Sequence, residues 1–253
     1  NVSLRDDTNC RIITSRKTGK ILNFELYMKY HLDLDIELLK NPYKGKYIAV
    51  EGPDGSGKTT QVKRLAEYFK KQGKEVVLTR EPRKSGIIGD LAHKVLLGEE
   101  RIPPKAFQYL FTADRVIHYE DVIIPALKSG KIVISDRCFW SALVYGILDK
   151  EGNFTKKNLD FILVAHSILS MYHQFIIPDF TFYLRIPLKA ATSRIKNKQE
   201  KIEVYETEEK IKRAVSGYEW LLKQFGREIA SIDGTLSKEQ ITKEMIGKIA
   251  KAI

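Results

Sequence analysis

The spacing of apolar and polar positions changes character near residue 45. Before it, β-leaning runs over 11–15 and 20–30 lie on either side of a polar, glycine-containing turn, and leucines between 34 and 39 follow at helical spacing. This pattern predicts a β-hairpin and a short helix in residues 1–45. Proline and glycine over 42–45 break the pattern and predict a boundary there. The sequence assigns no function to this N-terminal extension.

From residue 46 onward, short β-branched runs alternate with helical periodicity. Val62, Leu65, Ala66 and Phe69, for example, recur at the spacing of one helix face. Strands separated by helices predict an α/β fold, a parallel sheet covered on both faces, with ligands at the carboxyl ends of the strands. The five predicted strands cover 47–50, 76–78, 132–134, 180–184 and 229–232. We therefore predict one domain over 46–253 with a five-stranded sheet.

Composition narrows the choice of partners without deciding it. The 253 residues include 43 Lys and Arg against 32 Asp and Glu, a net charge of +11. Such an excess indicates an anionic partner, whether nucleotide, nucleic acid or acidic surface. No segment approaches the ~18 uncharged apolar residues of a membrane span, so we expect no membrane partner. Cys10 and Cys138 are too far apart to suggest a disulfide framework, which suits a cytoplasmic location.

A glycine-rich segment directly after the first predicted strand of this domain matches G-x-x-x-x-G-K-[ST] and opens a predicted helix. Glycines in such a loop let backbone N–H groups turn inward around phosphate, and the following helix adds its positive end. Lys58 would reach the β- and γ-phosphates, and the Thr59 hydroxyl would bind Mg²⁺. The residues expected to bind ATP here are Gly52, Pro53, Asp54, Gly55, Ser56, Gly57, Lys58, Thr59 and Thr60.

Four separated motifs make the chain from Lys46 to its end resemble the thymidylate kinase family. They are YIAVEGPDGSGKTT over 47–60, TREP over 79–82, LFTADR over 110–115 and IVISDR over 132–137. The resemblance implies a P-loop kinase that transfers the γ-phosphoryl group of ATP to dTMP with Mg²⁺ as cofactor. It also implies a homodimer. Residues 1–45 lie outside the resemblance.

The resemblance carries roles onto matching positions of this chain. Arg80, Glu81 and Pro82 would lie beside the acceptor monophosphate. Phe111 would stack on the pyrimidine, and Arg115, four residues later on the same helix face, would grip the acceptor phosphate. Further acceptor-site residues implied by position are Asp54, Arg137, Ser141 and Tyr145.

Catalytic and donor-side residues follow in the same way. Asp136 would join Thr59 at Mg²⁺ or its bound water, and Arg137 would bridge donor and acceptor phosphates. A charged segment over 191–209 resembles the mobile lid of the family and would place Arg194 and Lys198 at the transferred phosphoryl group. Asp233 would lie beside the adenine. The residues implied as catalytic are Lys58, Asp54, Arg137 and Arg194.

The chain departs from the family pattern where relatives read the base. Cys138, Val144 and Gly146 differ from the pattern D-R-Y-x-x-S-x-x-A-Y-Q, and Ala142 stands where relatives carry a polar residue. Losing hydrogen-bonding side chains weakens discrimination between bases. Kinases acting on dUMP, UMP or CMP therefore remain alternatives to a dTMP kinase.

Two further alternatives belong to other classes. A catalytically silent nucleotide-binding scaffold would explain the altered base-reading motif, although the phosphate-binding residues are intact. A nucleic-acid-binding ATPase would use the positive charge, but the sequence lacks interleaved aromatic and basic residues, so we expect no nucleic-acid partner. None of the five histidines stands at a position expected to be catalytic.

Overall fold

The computed structural model describes residues 3–5, 31–33, 38–148, 168, 170–172, 174–197 and 204–251. The chain divides into two compact units, Asn1–Glu37 and Leu38–Ile253. In the first unit, strands β1 (Ser3–Arg5) and β2 (His31–Asp33) pair antiparallel. The runs over 11–15 and 20–30, predicted to form the hairpin, lie outside the described residues.

The division between the units falls a few residues before the predicted boundary near residue 45. The backbone N–H of Ile177 donates to the Leu39 carbonyl at 2.8 Å, and Asn41 Nδ2 donates to Asp179 Oδ2 at 2.7 Å. These contacts tie residues 38–45 to the second unit. Leu39 forms a parallel β-bridge with Ile176 rather than ending a helix, because its backbone bonds across to that segment.

The five predicted parallel strands are confirmed. They are β3 (Lys46–Glu51), β4 (Val76–Arg80), β5 (Ile132–Asp136), β6 (Phe180–Arg185) and β7 (Ile229–Asp233), in the order β4-β5-β3-β6-β7. All four neighbouring pairs are parallel, and Val50 of the central strand lies opposite Asp136 and Phe182. β3, β4, β5 and β7 each end at or within a few residues of a segment expected to bind nucleotide.

Helices cover both faces of this sheet. The described helices are α1 (Lys58–Lys71), α2 (Ile87–Leu96), α3 (Pro104–His118), α4 (Ile124–Lys128), α5 (Phe139–Leu148), α6 (Leu188–Lys196), α7 (Glu208–Gln224) and α8 (Lys238–Ala250). A short π-helical turn, Tyr119–Ile123, joins α3 to α4. No helix in this part of the chain is long and apolar enough to cross a lipid bilayer.

The core forms two layers, one on each side of the sheet. Along β3, Tyr47 and Ala49 contribute to the layer that packs against α5 and α7, while Ile48 and Val50 contribute to the layer under α1 and α8. Alternate strand residues point to opposite faces, so a strand buried on both sides reads as a continuous apolar run. Both faces are thereby filled, and the carboxyl edge of the sheet is left for a site.

Candidate active site

A cavity of about 510 Å³ lies at the carboxyl ends of β3, β4 and β5. Most of the site residues predicted from the sequence line it, although they come from segments far apart along the chain. These are Asp54, Gly55, Ser56, Gly57, Lys58, Thr59, Thr60, Arg80, Glu81, Pro82, Phe111, Arg115, Asp136, Arg137, Ser141, Tyr145 and Arg194. Gly52, Pro53 and Asp233 do not line it, and Lys198 lies outside the described residues.

The loop between β3 and α1 requires glycine at two positions for different reasons. Gly55 has φ +80°, and a Cβ there would lie 2.6 Å from the Ala191 carbonyl oxygen. Gly57, the residue directly before α1, has φ +93°, a left-handed backbone conformation that favours glycine. The hydroxyl of Ser56 is buried without a hydrogen-bond partner among the described residues. A concave loop with an unsatisfied donor at a helix N-terminus is suited to phosphate oxygens.

Lys58 supplies a buried cation to this loop. Its Nζ donates to the Pro53 carbonyl at 3.0 Å and lies 3.6 Å from Asp54 Oδ1. Burial and the nearby charge of Arg137 lower the pKa of the Lys58 ammonium. The side chain is thus folded over the loop where the phosphates of a nucleotide would replace its present partners.

Thr59 and Asp136 bring two oxygen ligands together. Thr59 Oγ1, in the first turn of α1, donates a hydrogen bond to Asp136 Oδ2, at the end of β5, at a distance of 2.5 Å. The described residues contain no cluster of three or more His, Cys, Asp or Glu side chains that could hold a metal. Mg²⁺ characteristically takes one or two protein oxygens and completes its shell with phosphates and water. The pair therefore fits Mg²⁺ bound together with a nucleotide.

Arg137 joins the phosphate loop to the opposite wall of the cavity. Among the described residues it is the only non-glycine with a positive φ, at 73°. Its Nη2 donates to Asp54 Oδ1 at 2.5 Å and to Tyr145 OH at 3.2 Å, and its Nη1 donates to the Gly52 carbonyl at 3.1 Å. The guanidinium is held from several sides in an unusual backbone conformation, which is typical of functional sites.

Glu51 is a buried member of the Arg137 network that the sequence reasoning missed. This fully buried carboxylate accepts hydrogen bonds from Ser141 Oγ and Tyr218 OH, each at 2.7 Å. It also accepts from the backbone N–H of Cys138 at 2.8 Å. Ser141 Oγ and Tyr218 OH in turn contact Arg137 Nη1 at 3.2 and 3.0 Å. One signal was available: an acid at the end of an otherwise apolar strand.

A second buried hydrogen-bond network holds residues that are expected to bind the acceptor nucleotide. Arg115 Nε donates to Glu81 Oε2 at 2.6 Å, and His118 contacts Glu81 Oε1 through Nδ1 at 3.2 Å and Thr79 Oγ1 through Nε2 at 2.5 Å. A proton on Nδ1 and a lone pair on Nε2 satisfy both contacts. Burial alone would raise the pKa of the Glu81 carboxyl, but Arg115 and His118 outweigh it and lower that pKa.

Arg115 keeps an unused donor in this network. Its Nη1 is buried without a hydrogen-bond partner among the described residues, and its guanidinium packs over the Tyr172 ring at 4.5 Å. Asp114, the preceding residue, pairs with Arg83 at 2.8 Å instead of with Arg115. A buried cation with a spare N–H in a cavity wall is suited to an anion or a carbonyl oxygen.

The predicted lid is described at its two ends, 191–197 and 204–209. Arg194 donates to the carbonyls of Gly55 at 3.3 Å and Gly234 at 3.2 Å, so it joins the phosphate loop to the loop after β7. At the other end, Tyr205 and Glu206 line the cavity near Tyr145, and the Tyr205 and Tyr145 rings lie 5.1 Å apart. One end of this segment thus contacts the phosphate loop, and the other packs beside Tyr145.

The Asp233 side chain stabilises the turn that follows β7. Its Oδ1 accepts from Thr235 N at 2.9 Å and from Thr235 Oγ1 at 2.6 Å, and these bonds lower its pKa. Gly234 and Leu236, rather than Asp233, contribute to the cavity wall. The role of Asp233 beside the adenine stays a prediction.

The chain is similar in sequence to known proteins of one family. The family model described as Thymidylate kinase matches residues 50–245. A probable thymidylate kinase of Thermococcus gammatolerans is 35% identical over 217 residues, covering 83% of this chain and 98% of that protein. A thymidylate kinase of Thermoanaerobacter sp. strain X514 is 34% identical over 210 residues, with 82% and 98% covered. A probable thymidylate kinase of Pyrococcus horikoshii is 38% identical over 162 residues, with 60% and 71% covered.

Proposed function

The chain belongs to the thymidylate kinase family, and from this premise we propose that it transfers the γ-phosphoryl group of Mg–ATP to dTMP, giving dTDP and ADP. One observation carries the proposal beyond family membership. A single cavity is lined by the phosphate loop, by Arg137 and by Arg115, a buried arginine with a spare donor. This arrangement suits two phosphate-bearing substrates placed end to end.

The proposed chemistry needs positioning and charge neutralisation more than proton transfer. The acceptor phosphate is already nucleophilic at neutral pH, so catalysis consists mainly of aligning two polyanions. Lys58 would hold the β- and γ-phosphates of ATP, and Arg137, fixed by Asp54 and Tyr145, would neutralise charge between donor and acceptor. Thr59 and Asp136 would hold Mg²⁺, which would offset the negative charge of the phosphates. No covalent intermediate on the protein is required.

The acceptor base would lie among aromatic side chains at the far end of the cavity. Phe111 and Tyr145 line this end, and the Tyr145 ring also packs under the Arg137 guanidinium at 5.0 Å. Tyr205 packs against Tyr145 and closes this wall from the lid segment. Stacking alone does not distinguish one pyrimidine from another, so the sister kinases of dUMP, UMP and CMP must be separated by experiment.

We also infer that the chain forms a homodimer through α2 and α3. Two apolar side chains lie on one face of α2, Ile87 at 91% and Leu91 at 38% exposure. On α3, Tyr109 is 70% and Val116 is 39% exposed. Large apolar side chains gathered on two helices that pack together mark an association surface. Light scattering should give twice the 29.1 kDa chain mass, and Ile87→Lys should shift it to the monomer. A wild-type monomer would contradict this inference.

The activity itself is tested by ADP release in a coupled assay with Mg–ATP and separate dTMP, dUMP, UMP, CMP and dCMP acceptors. Turnover greatest on dTMP and lost in Lys58→Ala is the expected result. Turnover confined to another acceptor would move the assignment to a sister kinase. Tight ATP binding without turnover on any acceptor would favour the silent scaffold.

A further inference from the structure

Gln108 lines the cavity together with Phe111 and Arg115, two of the residues expected to bind the acceptor. Gln108 is 8% exposed and precedes Phe111 and Arg115 on α3 by three and seven positions, so all three occupy one helix face. The wall that carries the aromatic ring and the buried cation therefore also carries a carboxamide. Buried polar side chains in a cleft wall commonly fix the orientation of a ligand.

The facing helix α5 offers no polar side chain at two positions of this region. Ala142 lines the cavity and has no hydrogen-bonding group, and Gly146 follows one turn later. A Cβ at Gly146 would lie 2.4 Å from Ile168 Cδ1, 3.0 Å from Gln108 Cδ and 3.1 Å from Gln108 Nε2. Because Gly146 has no side chain, the Gln108 amide can lie close to the backbone of α5.

The hydroxyl groups nearest to this position are used to hold Arg137. Tyr145 OH contacts Arg137 Nη2 at 3.2 Å and Asp54 Oδ2 at 3.4 Å. Ser141 Oγ donates to Glu51 Oε2 at 2.7 Å. Moving either hydroxyl to a base would disturb the arginine. The carboxamide is the side chain in this wall whose chemistry matches a pyrimidine edge, because it presents an acceptor and a donor in one plane.

We propose that Gln108 reads the hydrogen-bonding edge of the acceptor pyrimidine, in place of the polar side chains that α5 lacks at positions 142 and 146. A Cβ at Gly146 would lie 3.1 Å from Gln108 Nε2, and the other branch of the amide, Oε1, would accept from N3–H of thymine or uracil. Cytosine has a lone pair at N3 and is rejected, because two acceptors would face each other. The assignment rests on the proposed function and adds the residue that sets its base preference.

The test compares kcat/KM for dTMP, dUMP and dCMP in the wild-type protein and in Gln108→Met, which keeps most of the side-chain volume but removes the amide. A site that hydrogen-bonds its substrate loses about tenfold to a hundredfold when one partner is removed. The dTMP:dCMP ratio should fall by that factor, while the dTMP:dUMP ratio, which reports on the methyl group, stays constant. A structural defect would lower all three values together.

A second test variant and a control variant accompany Gln108→Met. Gly146→Ala should lower the dTMP:dCMP ratio in the same direction, since its Cβ would collide with Ile168 Cδ1 and crowd the Gln108 amide beside it. Gln174→Leu is the matched control, because Gln174 is exposed and donates to the Met171 carbonyl at 3.1 Å, away from the cavity. ATP affinity measured by calorimetry confirms that each variant is folded. If Gln108→Met does not fold, Gln108→Ala serves in its place.

Each outcome decides the assignment. An unchanged dTMP:dCMP ratio in the Gln108 variants, with dTMP turnover intact, would overturn the role of Gln108 and leave the kinase activity standing. A wild-type protein that uses dCMP as well as dTMP would do the same. Absence of turnover on every acceptor would overturn the proposed function, and the base-reading role with it.

Discussion

Replacing Glu51 by glutamine tests whether the buried carboxylate acts through Arg137. Glu51 Oε2 accepts from Ser141 Oγ and Tyr218 OH, each at 2.7 Å, and both hydroxyls contact Arg137 Nη1. Glutamine keeps the volume but removes the charge. Hydrogen bonds to a charged group contribute about 1.5–3 kcal/mol, and neutral ones about 0.5–1.5 kcal/mol. With two bonds weakened by about 1 kcal/mol each, Glu51→Gln should lower the free energy of unfolding by about 2 kcal/mol.

The variant should also lose activity, because the two hydroxyls would no longer hold Arg137 in one position. We expect kcat to fall at least about tenfold, equivalent to about 1.4 kcal/mol of lost transition-state stabilisation. Urea unfolding measures the stability, and steady-state kinetics on dTMP measure kcat. Tyr218→Phe should give a similar loss of kcat, and the double variant should lose less than the sum.

Tyr183→Phe is the matched control for this experiment. The Tyr183 ring stacks on Tyr218 at 5.1 Å, but its hydroxyl donates to Glu219 rather than contacting Arg137. It should change stability without lowering kcat. If Glu51→Gln loses stability but keeps full kcat, the carboxylate does not position Arg137, and the reasoning from this network is refuted.

Three further predictions concern pH dependence and stability. The lowered pKa of Glu81 means that its contribution to stability is present above about pH 4.3 and lost in more acidic solution; urea unfolding across pH should show this loss, and His118→Ala, which removes one partner, should shrink it. Because the pKa of Lys58 is lowered, its ammonium should lose its proton, and kcat/KM for ATP should begin to fall, at a pH below the about 10.4 of a free lysine. Lys58→Arg should remove this decline as the pH rises. An identical pH profile in that variant would contradict the assignment to Lys58. Ser237 caps α8 together with Gln240, so Ser237→Ala should lower the free energy of unfolding by about 1 kcal/mol in thermal or urea unfolding; a change within 0.5 kcal/mol of zero, the ordinary range for surface substitutions, would count against the cap.

The sequence predicts well those parts of the molecule that depend on consecutive residues. The phosphate loop carries its glycines, Lys58 and Thr59 in one uninterrupted segment, and the apolar run of each strand records burial on both faces of the sheet. The five strands and the α/β class could therefore be predicted. The two compact units divide before Leu38, because Leu39 and Asn41 bond to residues that follow far along the chain.

Contacts between distant segments explain what the sequence could not provide. Glu51 and Tyr218 are 167 residues apart, and Glu81 and His118 are 37 apart. Neither pair has a local pattern, so the sequence assigned no role to Glu51 and predicted a core or surface position for His118. The space beside Gly146 likewise becomes visible only when α3 packs near α5, which is why its occupation by Gln108 could not be foreseen.

The most direct test of phosphoryl transfer follows the transferred group itself. ATP labelled in its γ-phosphate is incubated with Mg²⁺, dTMP and the protein, and the products are separated by chromatography. The account predicts that the label appears in dTDP and that Arg137→Ala abolishes this transfer while ATP still binds. Label released as inorganic phosphate, or retained in ATP although both nucleotides bind, would contradict it.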